Sequence, residues 1–136
     1  MLALDTNVLV RYLVRDDEHQ YLQAESVMRE LNKDFRAYLS WTVLLEVFFV
    51  LKRVYRFQKS DLIRVIGDIL RVEEFLIEDA ALVYSALQIY RSAPVDFQDA
   101  MIAVKARAQG IERILTFDRK AEEAGMEVIT PTRKER

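Results

Sequence analysis

The first residues of the chain, MLALDTNVLVR (1–11), decide which fold the sequence predicts. Residues 2–4 are apolar and are typical of a buried strand. They are followed by Asp5, Thr6 and Asn7, residue types that form turns and cap helices, and an apolar helical pattern comes next. An acid just beyond a strand of an α/β sheet lies where such sheets bind their ligands. The alternative is that Asp5 or Thr6 only caps the next helix.

The rest of the chain alternates short apolar segments with helical patterns. We predict further strands at residues 37–39, 75–77, 114–116 and 127–129, with helices between them. Such alternation implies parallel strands joined by right-handed crossovers. The sequence therefore predicts an α/β fold, a three-layer α/β/α sandwich around a short, mainly parallel central sheet of the Rossmann-like kind.

The length of 136 residues suits one domain. We therefore expect residues 1–136 to form a single domain, with residues 131–136 as a flexible tail. No apolar run approaches the roughly 20 residues of a membrane span, and the N-terminus lacks the basic start of a signal peptide. We expect a cytoplasmic protein without a membrane partner.

The composition limits the chemistry that the chain can perform. There is no Cys and one His, which excludes disulfides, thiolate metal sites, a Cys nucleophile and paired-His acid–base catalysis. Catalysis must then use carboxylates, hydroxyls or amines. The net charge of -2 gives no general attraction to nucleic acid, so an RNA partner would need a local basic surface and bound cations.

Glu46 is the most informative of the later acids, because it interrupts an otherwise apolar helical run at residues 43–51. A lone buried carboxylate is costly unless it is paired or bound to a metal. Glu46 should therefore be buried with a partner, lie at a cleft, or belong to a narrow polar stripe. In the last case it would share the stripe with Thr42 and Arg53 and form an ion pair with a neighbour.

Three further acids stand at the beginnings of predicted helices. Asp96 has the position of a helix cap, and Asp99 lies in the first turn, where the helix dipole favours negative charge. Asp118 follows a predicted strand and precedes a helical turn. Capping would explain each of them. Asp99 and Asp118 could equally lie at the same edge of the sheet as Asp5.

Four acids at one edge of a sheet would repel one another. Two unit charges ~4 Å apart repel by about 4 kcal/mol at an effective dielectric constant of 20. Such a group needs protonation or a cation, and oxygen-only ligands select Mg²⁺ or Mn²⁺. The acids that we expect to meet there are Asp5, Glu46, Asp99 and Asp118.

In these motifs the chain resembles the PIN-domain ribonucleases, and most closely the VapC-type toxins of type II toxin–antitoxin pairs. The resemblance rests on LDTNVLVRYL (4–13), Glu46, DFQDA (96–100) and LTFD (115–118), in this order and spacing. It implies that Asp5, Glu46, Asp99 and Asp118 are the catalytic, metal-binding acids. It also implies supporting polar groups at Thr6, Asn7, Thr116 and Asp96, the last of these either close to the metal or a helix cap.

The resemblance also implies an activity and partners. The expected reaction is Mg²⁺-dependent hydrolysis of RNA, with Mn²⁺ as a substitute, by a homodimeric toxin that a cognate antitoxin covers. Basic residues around the cleft are candidates for phosphate contacts: Arg11, Arg15, Lys52, Arg53, Arg56, Lys59, Arg119 and Lys120. Alternatives are an RNA-processing PIN nuclease outside a toxin–antitoxin system, a non-catalytic PIN-like binding module, and a receiver-like or phosphatase-like α/β domain. The phosphatase-like alternative requires a second Asp at the position where this chain has Asn7.

Overall fold

A computed structural model describes residues 1–130 of the chain, so the predicted tail at 131–136 lies outside the described residues. Helices and short strands alternate through the described part. In chain order they are β1 (Leu2–Ala3), α1 (Thr6–Leu13), α2 (Glu18–Arg29), β2 (Ala37–Leu39), α3 (Trp41–Arg53), α4 (Lys59–Arg71), β3 (Phe75–Ile77), α5 (Ala80–Ser92), α6 (Phe97–Ala108), β4 (Leu115–Thr116), a 3-10 helix (Arg119–Ala124) and β5 (Glu127–Val128). None of the helices within residues 1–130 has the length and apolar character that a membrane span requires.

All strands of the described chain pair in parallel. β1, β2 and β3 form one sheet in that order, and β4 pairs with β5 in a second sheet. The predicted α/β fold with a short parallel sheet is confirmed. The chain divides into two compact units, Met1–Ala80 and the part that begins at Ala81, so the expectation of one single domain stays a prediction.

The first strand is shorter and less buried than its sequence predicts. Leu2 is half-buried and Ala3 is exposed, because β1 is an edge strand of the three-stranded sheet and β2 lies in its middle. Only Leu4, just after the strand, is buried, at 6% exposure. The next helix begins at Thr6, two positions earlier than the apolar pattern predicts, because Asp5 is its N-cap.

Helix α3 forms the core of the first unit. Its side chains Leu44, Val47, Phe48 and Leu51 are at most 1% exposed, and α1 packs against both α2 and α3. Two hydrogen bonds hold the start of α3. Ser40 Oγ accepts one from the Val43 amide at 3.2 Å, and the Glu78 carboxylate accepts one from the Trp41 amide at 2.8 Å. This places Glu46 on the second turn of a rigid helix.

Helix α6 forms the core of the second unit. Phe97 and Met101 have no exposed surface, and the Phe97 ring meets the Tyr90 ring edge-on with 5.8 Å between their centroids. The predicted helical turn at 119–124 is a 3-10 helix that ends at Gly125. Arg107 Nη2 on α6 donates a hydrogen bond to the Ala124 carbonyl at 2.7 Å, which joins the two elements.

Replacing Gly125 by Ala is expected to lower the free energy of unfolding by about 2 kcal/mol, for two reasons. The residue has φ +85°, a conformation that favours glycine, and an added Cβ would collide with the guanidinium of Arg107. Urea unfolding measures the change. Gly110→Ala is the matched control, since it has φ +80° but open space around its Cβ. Equal losses in the two variants would show that the Arg107 contact contributes nothing.

Candidate functional site

The predicted site residues form two groups, one in each unit. In the first unit a groove of about 380 Å³ contains Asp5, Thr6, Asn7 and Glu46 in its wall. The other residues that line this groove, which we call the first-unit groove, are Val10, Arg11, Val50, Val54 and Tyr55. Asp5 and Glu46, 41 positions apart in sequence, therefore share one concave surface.

The start of α1 positions Asp5. Its backbone is extended (φ -84°, ψ 162°) and its Oδ1 accepts a hydrogen bond from the Thr6 amide at 2.7 Å. Within residues 1–130 no hydrogen bond uses its Oδ2. Asp5 therefore caps α1, as the alternative interpretation held, and still has an exposed oxygen for a cation.

Thr6 connects α1 to α3. It is 8% exposed, and its Oγ1 donates a hydrogen bond to Glu46 Oε2 at 3.0 Å. The carboxylate of Glu46 is thereby held at the groove, which is one of the three positions that its apolar surroundings predicted. The alternative polar stripe with an ion pair does not hold in the described chain: Glu46 forms no ion pair there, and the Arg53 guanidinium lies 4.7 Å over the Phe49 ring.

The second group of acids consists of Asp96, Asp99 and Asp118. One carboxylate oxygen from each lies within 4.8 Å of the others. Asp96 and Asp99 come from the N-terminal end of α6, and Asp118 from the turn between β4 and the 3-10 helix. Residues 19 positions apart thus meet at one point of the second unit.

Local hydrogen bonds hold Asp118 at this point. Its Oδ1 accepts a hydrogen bond from the Lys120 amide at 2.9 Å, so it caps the 3-10 helix. Its own amide donates to Thr116 Oγ1 at 3.1 Å. Thr116 therefore supports the backbone of Asp118, while its part in a metal site stays a prediction.

Of the two roles predicted for Asp96, a supporting residue close to the metal or a helix cap, its side chain does not perform the second. It occupies the N-cap position of α6 in its backbone, but its side chain makes no capping hydrogen bond. Its carboxylate instead belongs to the cluster with Asp99 and Asp118. The spacing of three residues between Asp96 and Asp99 is the sequence signal for this, because residues three apart lie on the same face of a helix.

Within residues 1–130, no basic side chain forms an ion pair with any of the three acids of the second group. The pKa of Asp99 is raised above its ordinary value, first by partial burial and then by the negative charges of Asp96 and Asp118. Three carboxylates with unbalanced charge are a donor set that fits a hard divalent cation such as Mg²⁺.

The chain is similar to a known protein family and to known proteins. A family model described as PIN domain matches residues 2–126, a range that includes every acid of both groups. A curated protein named VapC ribonuclease, from Aquifex aeolicus (strain VF5), is 27% identical over 132 residues, which cover 96% of this chain and 97% of that protein. The crystal structure of FitAcB from Neisseria gonorrhoeae matches 96% of this chain and 97% of its own, with 18% identity and a TM-score of 0.36.

Proposed function

Because the chain belongs to the PIN-domain family, we propose that it is a Mg²⁺-dependent endoribonuclease. The observation that carries this proposal is the group of Asp96, Asp99 and Asp118, whose oxygens lie within 4.8 Å of one another. Three carboxylates at this distance repel one another, a bound cation would relieve that repulsion, and oxygen ligands favour Mg²⁺ or Mn²⁺. The name of the curated relative, a ribonuclease, supports RNA as the substrate.

The predicted site residues have two proposed roles, catalytic and supporting. The proposed catalytic and metal-binding acids are Asp5, Glu46, Asp99 and Asp118, as the family resemblance implies. The proposed supporting residues are Thr6, Asn7, Asp96 and Thr116. The hydrogen bonds of Thr6 to Glu46 and of Thr116 to Asp118 support these assignments, because each fixes an acid in place. The position of its carboxylate in the cluster supports a role for Asp96 close to the cation.

The chain's residues prepare the site for hydrolysis. When bound, the divalent cation would lower the pKa of the attacking water and neutralise charge on the scissile phosphate. The acids hold the cation, and Thr6 restrains one oxygen of Glu46. Asp99 has a raised pKa and so binds a proton more readily than an ordinary carboxyl group. A cation at the second group would compete with this proton, so cation binding should weaken as the pH falls.

Asp5→Asn and Glu46→Gln are expected to lower RNA cleavage at least about 100-fold each, since each removes a charge that the cation needs. The experiment incubates the full chain with mixed cellular RNA in Mg²⁺ and in chelator and follows cleavage on gels. Circular dichroism checks that the fold is retained. Glu30→Gln, an exposed acid of the first unit that lies outside the groove, is the matched control.

Three results would contradict the proposal. Cleavage in the presence of chelator would contradict the proposed need for a metal. Equal cleavage by Asp5→Asn and the unmodified chain would contradict the proposed role of the acids. Mg²⁺-dependent binding of RNA without any strand cleavage would favour the non-catalytic binding module instead.

We further propose that the chain acts as the toxin of a toxin–antitoxin pair, as a homodimer with a cognate antitoxin as its protein partner. The resemblance to VapC-type toxins supports this, together with the curated relative that shares that name. Expression in a bacterial host is expected to arrest growth, and Asp5→Asn is expected to relieve the arrest. Cleavage in vitro without growth arrest would favour the RNA-processing alternative.

A further inference from the structure

Arg11 is the one basic residue among the described residues that line the first-unit groove. It lies in the last turn of α1, six residues after Asp5, and so about 9 Å from it along the helix axis. Asp5 and Glu46 make this surface repulsive to phosphate. A cation bound by the acids would offset their own charge, and a phosphate farther along the groove would meet Arg11.

Three elements of the first unit hold the Arg11 side chain. Its Nε donates a hydrogen bond to Gln20 Oε1 on α2 at 2.6 Å. Its Nη1 donates to Asp16 Oδ1, between α1 and α2, at 3.2 Å, and to the Tyr55 hydroxyl, just after α3, at 3.0 Å. The Tyr55 hydroxyl in turn donates to Asp16 Oδ2 at 2.7 Å. We call Arg11, Asp16, Gln20 and Tyr55 the Arg11 cluster.

The cluster leaves part of the guanidinium available. A guanidinium has five N–H donors, and two of them belong to Nη2. Within residues 1–130 Nη2 of Arg11 makes no hydrogen bond, and the side chain keeps 34% of its surface exposed. Paired N–H donors on a side chain fixed by its other nitrogens are suited to a phosphate oxygen.

From this geometry we infer that Arg11 is a substrate-positioning residue that binds an RNA phosphate beside the scissile one, and that Asp16 weakens this binding. The inference rests on the proposed ribonuclease function. Asp16 and Tyr55 fix the direction of the guanidinium, while the negative charge of Asp16 offsets part of its attraction for phosphate. Removing that charge while keeping one of the two acceptor oxygens should strengthen RNA binding.

Fluorescence anisotropy with a fluorescein-labelled, mixed-sequence, single-stranded RNA tests this inference. All proteins otherwise have the unmodified sequence, Ca²⁺ replaces Mg²⁺ so that the acids can hold a cation while hydrolysis is slow, and affinity is measured over a range of salt concentrations. Arg11→Gln is expected to weaken binding about tenfold at physiological salt. It should also reduce the slope of log K against log salt by about 0.7, the value for one phosphate contact on a single strand. Arg29→Gln is the matched control, because Arg29 is also ion-paired, to Glu25, but does not line the groove.

Asp16→Asn separates positioning from a purely structural role. Asn keeps one acceptor oxygen. In the place of Asp16 Oδ2 it can still accept from the Tyr55 hydroxyl, which lies 2.7 Å from Oδ2, and from Arg11 Nη1, which lies 3.4 Å from it, so we expect binding about threefold tighter. If the cluster served only to join the helices, the same change would weaken binding or leave it unaltered. Arg11→Lys, which keeps the charge, should retain the salt slope even if Arg11→Gln folds poorly.

The outcomes distinguish this inference from the function on which it rests. Binding of RNA with an unchanged salt slope in Arg11→Gln, or weaker or unaltered binding by Asp16→Asn, overturns the inference alone. A parent protein that binds no RNA overturns both. Loss of one phosphate contact in Arg11→Gln together with a gain in Asp16→Asn supports the assignment.

Discussion

Replacing Asp99 by Asn is expected to abolish RNA cleavage, by at least about 100-fold, and at the same time to stabilise the metal-free protein by a few degrees in Tm. The two effects have one cause. The pKa of Asp99 is raised by partial burial and by the charges of Asp96 and Asp118. The negative charge of Asp99 therefore destabilises the metal-free fold, and it contributes to function only when a cation is bound.

The pH dependence follows from the direction of this shift. A carboxyl group whose pKa is higher in the folded than in the unfolded chain favours folding most at a pH where it is protonated in both the folded and the unfolded chain. That contribution is present below the unfolded value near 3.8 and is lost as the pH rises through the folded value. The stabilisation by Asp99→Asn should therefore be small near pH 3 and complete at pH 7.

Thermal unfolding without Mg²⁺ measures the stabilisation by Asp99→Asn, and thermal unfolding with Mg²⁺ measures the loss of cation binding. Mg²⁺ should raise the Tm of the unmodified chain and leave that of Asp99→Asn nearly unchanged, because the variant has lost the charge that binds the cation. Glu123→Gln, an exposed acid of the 3-10 helix outside the cluster, is the control and should behave like the unmodified chain. A lower Tm for metal-free Asp99→Asn would show that Asp99 stabilises the fold instead of binding a cation.

The fold was predictable where local patterns and caps agree. The strands at 37–39 and 75–77 have the predicted bounds, and α3 begins at Trp41 because Ser40 caps it. The pairing of β4 with β5 could not be predicted, because each strand has two residues and their register depends on contacts outside the strands. The exposure of Ala3 likewise depends on the edge position of β1, which no local pattern reveals.

The sequence predicts which acids belong to the candidate site, but it does not predict which of their side chains lie next to one another. Local rules assign Asp96 to a cap, and only its proximity to Asp118 shows that its carboxylate has a different neighbour. The Arg11 cluster has no local signal either, since Tyr55 is 44 positions from Arg11 in sequence. Hydrogen bonds across such separations follow from tertiary packing, which a single sequence does not display.

Phe97→Ala is expected to cost about 3–5 kcal/mol of unfolding free energy, the usual range for removing a buried aromatic ring. Phe97 has no exposed surface and packs against Tyr90. For a chain of this length the loss corresponds to roughly 10–15 °C in Tm. Phe97 is also the first residue of α6, between Asp96 and Asp99, so the start of the helix that holds these acids loses its anchor.

Phe117→Ala is the matched control, because the same ring is removed from a side chain that is 82% exposed. It should change the free energy of unfolding by less than about 0.5 kcal/mol. Stabilisation by Mg²⁺ should fall in Phe97→Ala, measured well below its lower Tm, since movement of the start of α6 would separate Asp96 and Asp99 from Asp118. Equal losses of stability in the two variants would mean that Phe97 does not anchor the helix. Full Mg²⁺ stabilisation in Phe97→Ala would mean that the three carboxylates keep their places without it.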